Sequence, residues 1–546
     1  MSNFMRILVF VPLLLLLSCH PAPKESRVVQ REEQIFRMNL HSEPSSLDPR
    51  LIRDLPSRTT GKMFFEGLTR LNSDGEPTPA LADKIEISED KKQYTFWLRD
   101  THWTNGLPVT AYDFEAAWKK VLSPRFPNEF AHQLFVIKGG EEAKKDEISS
   151  EEIGVTACGA NKLVVELKYP DPYFLQLTAY PICFPISLEA EKINAHWAEE
   201  QGDDFICNGP FKLKKWNHHS EIEAVKNPLY WKADAVRLDK VVLTMIEDEH
   251  TELNMYENGE LDWAGSPNSS IPSEALPTLK ESLNVDQELF ILPLAGTYCY
   301  KFNTKASPFH SVKIRKAFSC AINRQSLIDN ILQANQTLAK SLVPLWMKLS
   351  PENSCSLNDN DQETATILFE EALEEEGWTR KTFPEITLIF SRSEKHQKIA
   401  QAIQQQWTSA FGIEIHLQSY EWNTFIDYLS QHNYQVGGRS WVSDLPDPKT
   451  ILENYRYTND SPLGGNNDTQ WEDPEFIRLL DLASKKESLE DRELLLLEAE
   501  GILLNDMPIA PIYHSTACYL KKPYVKNVYM SELCDLDFKN TYIETH

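Results

Sequence analysis

Between Glu385 and Gln418 the sequence changes period twice, and this constrains the fold more than any other feature. Glu385-Ile-Thr-Leu-Ile-Phe390 alternates as a strand. From Glu394 to Phe411 the apolar residues Ile399, Ile403, Trp407, Ala410 and Phe411 fall on one helical face, and Gly412 is a natural stop. Ile413, Ile415 and Leu417 then alternate with Glu414, His416 and Gln418 as a second strand. Strand, long helix and strand with short joints make a βαβ unit, and its two strands must be parallel because a tight hairpin joins only antiparallel neighbours. This part of the chain is therefore α/β and not all-β.

Shorter signals surround this unit. Tyr94-Thr-Phe-Trp-Leu98-Arg99 and Lys162-Leu-Val-Val-Glu-Leu167 read as strands. A helix is expected from about Asp113, with Phe114, Ala117, Trp118, Val121 and Leu122 as one buried stripe and Thr110 and Asp113 as its capping box. A β region opens at Asn208-Gly-Pro-Phe211 and turns at His218-His219. Adjacent histidines point different ways on most backbones, so no metal is expected there. The runs Glu141–Glu152 and Glu370–Glu376 read as solvated faces.

Trp441-Val-Ser-Asp444-Leu-Pro-Asp447-Pro448 places an aromatic and two carboxylates ahead of a helical stretch. Asp447 before Pro448 suits an N-cap and first helical position, since Asp accepts from free amides and Pro has none to leave unpaired. Asp444 has no such local role. A carboxylate beside a large aromatic suits an extended ligand with a positive end.

The formal charge is −26, from 81 acidic and 55 basic residues, so a nucleic-acid backbone or an anionic membrane is an unsuitable partner. At the N-terminus Arg6, the apolar run Ile7–Leu17 and the small residues after it read as a secretion signal, too short for a stable membrane span. Leu16-Leu17-Ser18-Cys19 resembles a bacterial lipobox, which makes Cys19 the expected lipidation site and the following residues a flexible tether. The eight other cysteines are scattered, without zinc-type spacing, and their pairing stays open. Motifs for metalloprotease, serine hydrolase, phosphate-loop or dinucleotide chemistry are absent from the sequence, which moves the expectation from enzyme to binding protein.

Nine segments in order carry a resemblance. They are Glu43-Pro-Ser-Ser-Leu-Asp-Pro49, Phe65-Glu-Gly-Leu68, Pro79-Ala-Leu-Ala82, Trp103-Thr-Asn-Gly-Leu-Pro-Val-Thr-Ala-Tyr-Asp-Phe114 and Asn208-Gly-Pro-Phe211. Asn227-Pro-Leu-Tyr-Trp231, Gly259-Glu-Leu-Asp262, the stretch Phe302–Arg324 and Trp441-Val-Ser-Asp444 complete the set. From about Glu43 to about Tyr513 the chain resembles the oligopeptide- and dipeptide-binding family of ABC-transporter solute-binding proteins.

The resemblance implies an α/β, two-lobed periplasmic-binding-protein fold with a hinge, the first lobe split into two domains. On that pattern residues 1–18 are a signal peptide and 19–34 the lipidated tether. Residues 35–65, 191–298 and 512–546 form the main domain of lobe 1, 66–190 its accessory domain, and 299–511 lobe 2. It implies an extracytoplasmic, lipid-anchored monomer that captures short peptides with a free amine and delivers them to an ABC importer permease. No cofactor, metal, nucleic acid or catalytic residue is expected, and the lipid anchor is the only expected membrane contact. The Asp of the family's Trp-x-x-Asp motif, which pairs with the ligand ammonium, maps onto Asp444 beside Trp441. Ligand-facing backbone falls near Ser440–Val442 and near Arg53–Leu55. The sequence also departs from the pattern. Arg53 stands where known binders carry an acid, Gly438 where they carry Arg with Arg439 displaced by one, and Phe130 where a Tyr contact is expected. The rivals are the same fold with a non-peptide or cell-wall peptide ligand, and a surface interaction lipoprotein of adhesin or chaperone-like type.

Overall fold

The computed structural model describes residues 33–546 apart from 129, 195, 200–201, 203–204, 284–286, 349–357, 462, 464, 487 and 545–546. The signal-like run, Cys19 and Cys355 lie outside the described residues. A large sheet is built from β1 (Ile35–Asn39), β2 (Phe211–Asn217), β3 (Glu221–Lys226), β4 (Lys240–Thr244), β5 (Trp263–Gly265), β6 (Leu289–Phe302), β7 (Ile386–Ser391), β8 (Ile415–Tyr420), β9 (Val436–Val442) and β10 (Ile509–Lys521). Their spatial order is β8-β7-β9-β6-β10-β5-β1-β4-β3-β2, and Thr337–Leu338 adds an eleventh strand on β10.

β7 and β8 run parallel from Ile386 opposite Ile415 to Ser391 opposite Tyr420, joined by the helix Glu394–Phe411. That helix starts where Ser393 accepts from the His396 amide and stops at Gly412, whose φ of 67° suits glycine. Ile399, Ile403, Trp407 and Phe411 are buried, and the Trp407 indole donates to the Phe318 carbonyl at 2.9 Å. The second strand begins two residues later than the alternation suggests, at Ile415, although Ile413 is also buried.

β6 and β10, of 14 and 13 residues, are the longest strands and lie side by side in the middle of the sheet. β10 carries β5 on its C-terminal end, while β9 pairs with the C-terminal part of β6 from Gly296 to Phe302. The two strands thus join a half-sheet of β5, β1, β4, β3 and β2 to one of β9, β7 and β8. Their mutual register breaks between Pro293 and Thr297 and again between Tyr298 and Cys299. Such irregularities bend strands and increase their twist.

A second sheet of four strands, in the order Ala82–Ile87, Gln93–Leu98, Lys162–Glu166 and Val155–Ala157, stands apart from the first in pairing. The expected helix beside it spans Ala111–Val121, two residues earlier than predicted, because Thr110 is the cap and Asp113 closes the box by accepting from the Thr110 amide at 2.7 Å. All five predicted stripe residues are buried. Seven described cysteines are unpaired, and five of them are buried. They pack the interior and do not cross-link it. No helix of the described residues is long and apolar enough to cross a membrane.

Candidate functional site

A cavity of about 320 Å³ is walled by β9, the residues before and in α1 (Leu55–Phe64), the turn after β5, and the first turn of α2 (Glu394–Phe411). Its volume lies at the lower end of the range for small-ligand sites. The geometry follows from how β9 is paired. On one edge it bonds to β6 along its whole length, from Val436 opposite Phe302 to Val442 opposite Gly296. On the other edge its ladder with β7 covers only Val436 and Gly437. Residues 438–442 therefore keep one ladder edge open among the described residues, and they and Ser391–Ser393 both line the cavity. Backbone donors and acceptors on an open edge need partners.

The eight residues predicted for ligand contact, Arg53, Leu55, Phe130, Arg439, Ser440, Trp441, Val442 and Asp444, all line this one cavity. The Phe130 ring lies 5.7 Å from that of Trp441 at 31°. The Trp441 indole N–H is buried and has no partner among the described residues. Asp447 caps the helix Pro448–Glu453 as expected, accepting from the Lys449 amide at 3.0 Å, and Arg492 grips its carboxylate from behind.

Asp444 has no local role in the sequence, and the structure gives it partners from distant segments. Its Oδ1 accepts from Arg58 at 2.7 Å and its Oδ2 from Gln133 at 2.9 Å, contacts spanning 386 and 311 residues of sequence. Only tertiary folding brings these groups together. Arg58 and Lys62 stand one turn apart on α1, and both turn to Asp535 near the C-terminus, Arg58 at 3.7 Å and Lys62 at 2.8 Å. Burial opposes the Arg58 charge, but Asp535 and Asp444 hold its pKa above the ordinary value. Burial likewise opposes ionisation of Asp535, yet Lys62 and Arg58 hold its pKa low. For Asp444 burial prevails over Arg58 and the carboxyl pKa is raised. Each carboxylate oxygen offers two lone-pair directions. With one protein hydrogen bond at each oxygen, Asp444 keeps acceptor capacity toward the cavity, where its side chain is 22% exposed.

The residues that depart from the expected pattern each have a definite place in the structure. A Cβ at Gly438 would run into the Tyr298 hydroxyl, so Tyr298 occupies the space a longer residue there would need. Arg439 turns its guanidinium to Asp468 at 3.4 Å, while Lys301 pairs with the same carboxylate. Arg53 is 3.7 Å from Asp427 in a partly exposed ion pair. Elsewhere on the wall, His41 and His396 are held neutral by burial and by nearby Lys395, with pKa values lowered to about 4 and about 3. Sequence reasoning missed Arg58, Gln133, Asp535 and Lys395. The i, i+4 spacing of Arg58 and Lys62 was the one available signal, and it names no partner.

His250, Glu274 and Glu394 bring metal-type ligand atoms within 4.8 Å of one another. Lys398 lies 2.8 Å from both carboxylates and already supplies their counter-charge, so the group is an ion cluster. The His218-His219 pair meets Glu43, with the His218 ring 3.0 Å from it.

Residues 76–462 match the family described as bacterial extracellular solute-binding proteins, family 5 Middle. The chain is 41% identical over 523 residues to the oligopeptide-binding protein OppA of Bacillus subtilis, covering 95% of this chain and 94% of that protein. The crystal structure of Haemophilus influenzae OppA in complex with the peptide RPPGFSPFR superposes with a TM-score of 0.87 at 28% identity, covering 94% of this chain and 99% of that one. The substrate-binding domain of an oligopeptide ABC transporter from Bacillus anthracis superposes with a TM-score of 0.86 at 27% identity, covering 94% and 99%.

Proposed function

The chain belongs to family 5 of the bacterial extracellular solute-binding proteins, and on that premise we propose that it captures short peptides and hands them to an ABC importer, without catalysing a reaction. The open edge of β9 beside Asp444 carries this reading. An extended peptide adds to residues 438–442 as a further strand, and its main-chain bonds are independent of its sequence. Its α-ammonium meets Asp444 in a charge-assisted hydrogen bond, sharing the carboxylate with Arg58 and Gln133. Trp441 and Phe130 form an apolar wall for a side chain, and the unpartnered indole N–H offers one more donor. Backbone near Arg53–Leu55 faces the ligand from the other side, while Arg439 shapes the wall from its place against Asp468.

In the same reading the chain divides into the lobes expected from sequence, with the second lobe at 299–511. The register breaks where β6 and β10 cross that division support a hinge there. Closure of the lobes around a peptide is then the signal the permease reads. The mature protein is a monomer anchored on the outer side of the cytoplasmic membrane through a lipid on Cys19. Native mass spectrometry of the purified protein, before and after mild denaturation, tests the substrate. A spread of short-peptide masses is the expected result. One discrete non-peptide mass overturns the peptide assignment.

A further inference from the structure

An ion pair within one lobe exists whether the cleft is open or closed, whereas a pair between lobes exists only in the closed state and favours it by its full worth. With the second lobe at 299–511, several cross-lobe contacts fall on two short segments, 247–274 of lobe 1 and 392–398 of lobe 2. At their centre four side chains form a ring. Lobe 1 supplies Glu274 and His250, the latter from the helix Glu249–Glu257, and lobe 2 supplies Glu394 and Lys398 from the start of α2. The Lys398 ammonium lies 2.8 Å from one oxygen of Glu274 and 2.8 Å from one of Glu394. The His250 Nε2 lies 2.9 Å from the other oxygen of each. Each carboxylate is thus held once from its own lobe and once from the other. Burial opposes the Glu274 charge, but the hydrogen bond from Lys398 holds its carboxyl pKa below the ordinary value.

Two further contacts lengthen the seam. Lys395 donates to the Ser270 hydroxyl at 2.7 Å, and Arg392 faces Glu247 at 3.9 Å. The seam follows the rim of the cavity, since Glu249 and Lys395 line the cavity while the ring members His250, Glu274, Glu394 and Lys398 do not. The ring therefore offers a peptide no contact, and any influence it has on capture passes through closure. Its side chains are 35–49% exposed, so each pair alone shifts an equilibrium by no more than about fivefold. Two pairs cross the division here, and neither has a counterpart in the open state.

We propose that the ring of His250, Glu274, Glu394 and Lys398 is a clasp that holds the lobes closed, so that it sets how long any peptide is retained without choosing among peptides. The inference rests on the division into lobes and on the peptide-capture reading. An internal contrast is available within lobe 2, where Lys313 bridges Glu371 at 2.8 Å and Glu375 at 2.7 Å with comparable exposure. That bridge is the same in the open and closed states, and closure gains nothing from it.

Release of radiolabelled tri- and tetra-alanine into excess unlabelled peptide reads retention, and small-angle X-ray scattering of the ligand-stripped protein reads closure without a peptide. K398E sets three carboxylates against one another across the seam and is expected to release both peptides about tenfold faster, with the association rate unchanged. Adding E274K puts opposite charges back across the seam and returns release to the wild-type rate or below it. K313M leaves release unchanged. In scattering at low salt, K398E has a larger radius of gyration than the wild type and the double variant recovers the smaller one. If K398E does not fold, K398M carries the same expectation at about threefold. A double variant that releases peptide as fast as K398E, a wild-type rate in K398E, or an acceleration confined to one of the two peptides overturns the clasp and leaves peptide capture standing. If none of these proteins binds either peptide, the capture reading falls, and equal radii of gyration in all of them then overturn the clasp separately.

Discussion

Two corners of one cavity solve the problem of buried charge in opposite ways. Around Asp444 the charges are balanced within the protein. Two carboxylates, Asp444 and Asp535, face two cations, Arg58 and Lys62, and their separations run from 2.7 to 3.7 Å. Around Lys395 the ammonium has a serine hydroxyl within bonding distance and Glu249 only farther away. A balanced network holds its geometry before a ligand arrives, so it is suited to orienting an ammonium. An unbalanced buried charge costs free energy until something compensates it. In the proposed reading the first corner is where the ammonium of a peptide of any sequence is held.

The largest expected effect tests the balanced corner. Asp444→Ala weakens binding of free-amine peptides by about 2–5 kcal/mol, because the ligand ammonium loses its partner and Arg58 keeps Asp535 as its remaining counter-charge. N-acetylated peptides, already lacking the ammonium, lose much less. Equal losses for both peptide types in calorimetry would remove Asp444 as the anchor. Next in size is Gly438→Ala, on the strand that links the two corners. Its methyl group meets the Tyr298 hydroxyl, and overpacking of this kind costs about 1–3 kcal/mol, read as a lower urea midpoint. Adding Tyr298→Phe recovers part of the loss, since it removes the nearest of the atoms in the way and leaves the Tyr300 ring. Tyr298 also stacks on His396, 5.6 Å away, so the repair reports on the Lys395 corner as well.

Acid separates the corners further. The pKa values of His41 and His396 are lowered from 6.5 to about 4 and about 3, so the unfolded chain takes up protons first as pH falls. Their contribution to stability is complete above pH 6.5 and is lost on descending toward those lowered values, at on the order of 1 kcal/mol per pH unit for each histidine. The pKa of Asp535 is depressed from 3.8, so its contribution persists until the pH drops below that ordinary value. Urea midpoints between pH 7.5 and 5 should therefore fall in the wild type and fall less in His41→Asn. The smallest effect belongs to Arg53→Gln, which removes a partly exposed ion pair at 3.7 Å and should change affinity or stability by under about 1 kcal/mol.

Some of this was legible in the chain. The βαβ unit announced itself because both its periods are local and its stop is a glycine in the left-handed region. The Thr110 cap and the Asp447 cap were readable for the same reason, each being an oxygen and an amide two or three residues apart. Trp441 and Asp444 could be singled out as a pair. The reason Asp444 is ionised or not could not, since Arg58, Gln133 and Asp535 come from three distant segments. Lys395 gave no signal, because a lysine in the first turn of an amphipathic helix is ordinarily solvated.

The sequence by itself determined the α/β class, the stripe faces of its helices, their caps, and the motif that supplies a carboxylate beside an aromatic. These depend on backbone period and neighbouring side chains, and a linear pattern records both. Only the tertiary structure decided that β9 keeps an edge open among the described residues, that Tyr298 takes the space beside Gly438, and that Asp444 meets Arg58 directly while Lys395 meets Ser270. Those outcomes depend on which charges are desolvated together. Desolvation is a property of the packed interior and has no counterpart along the chain.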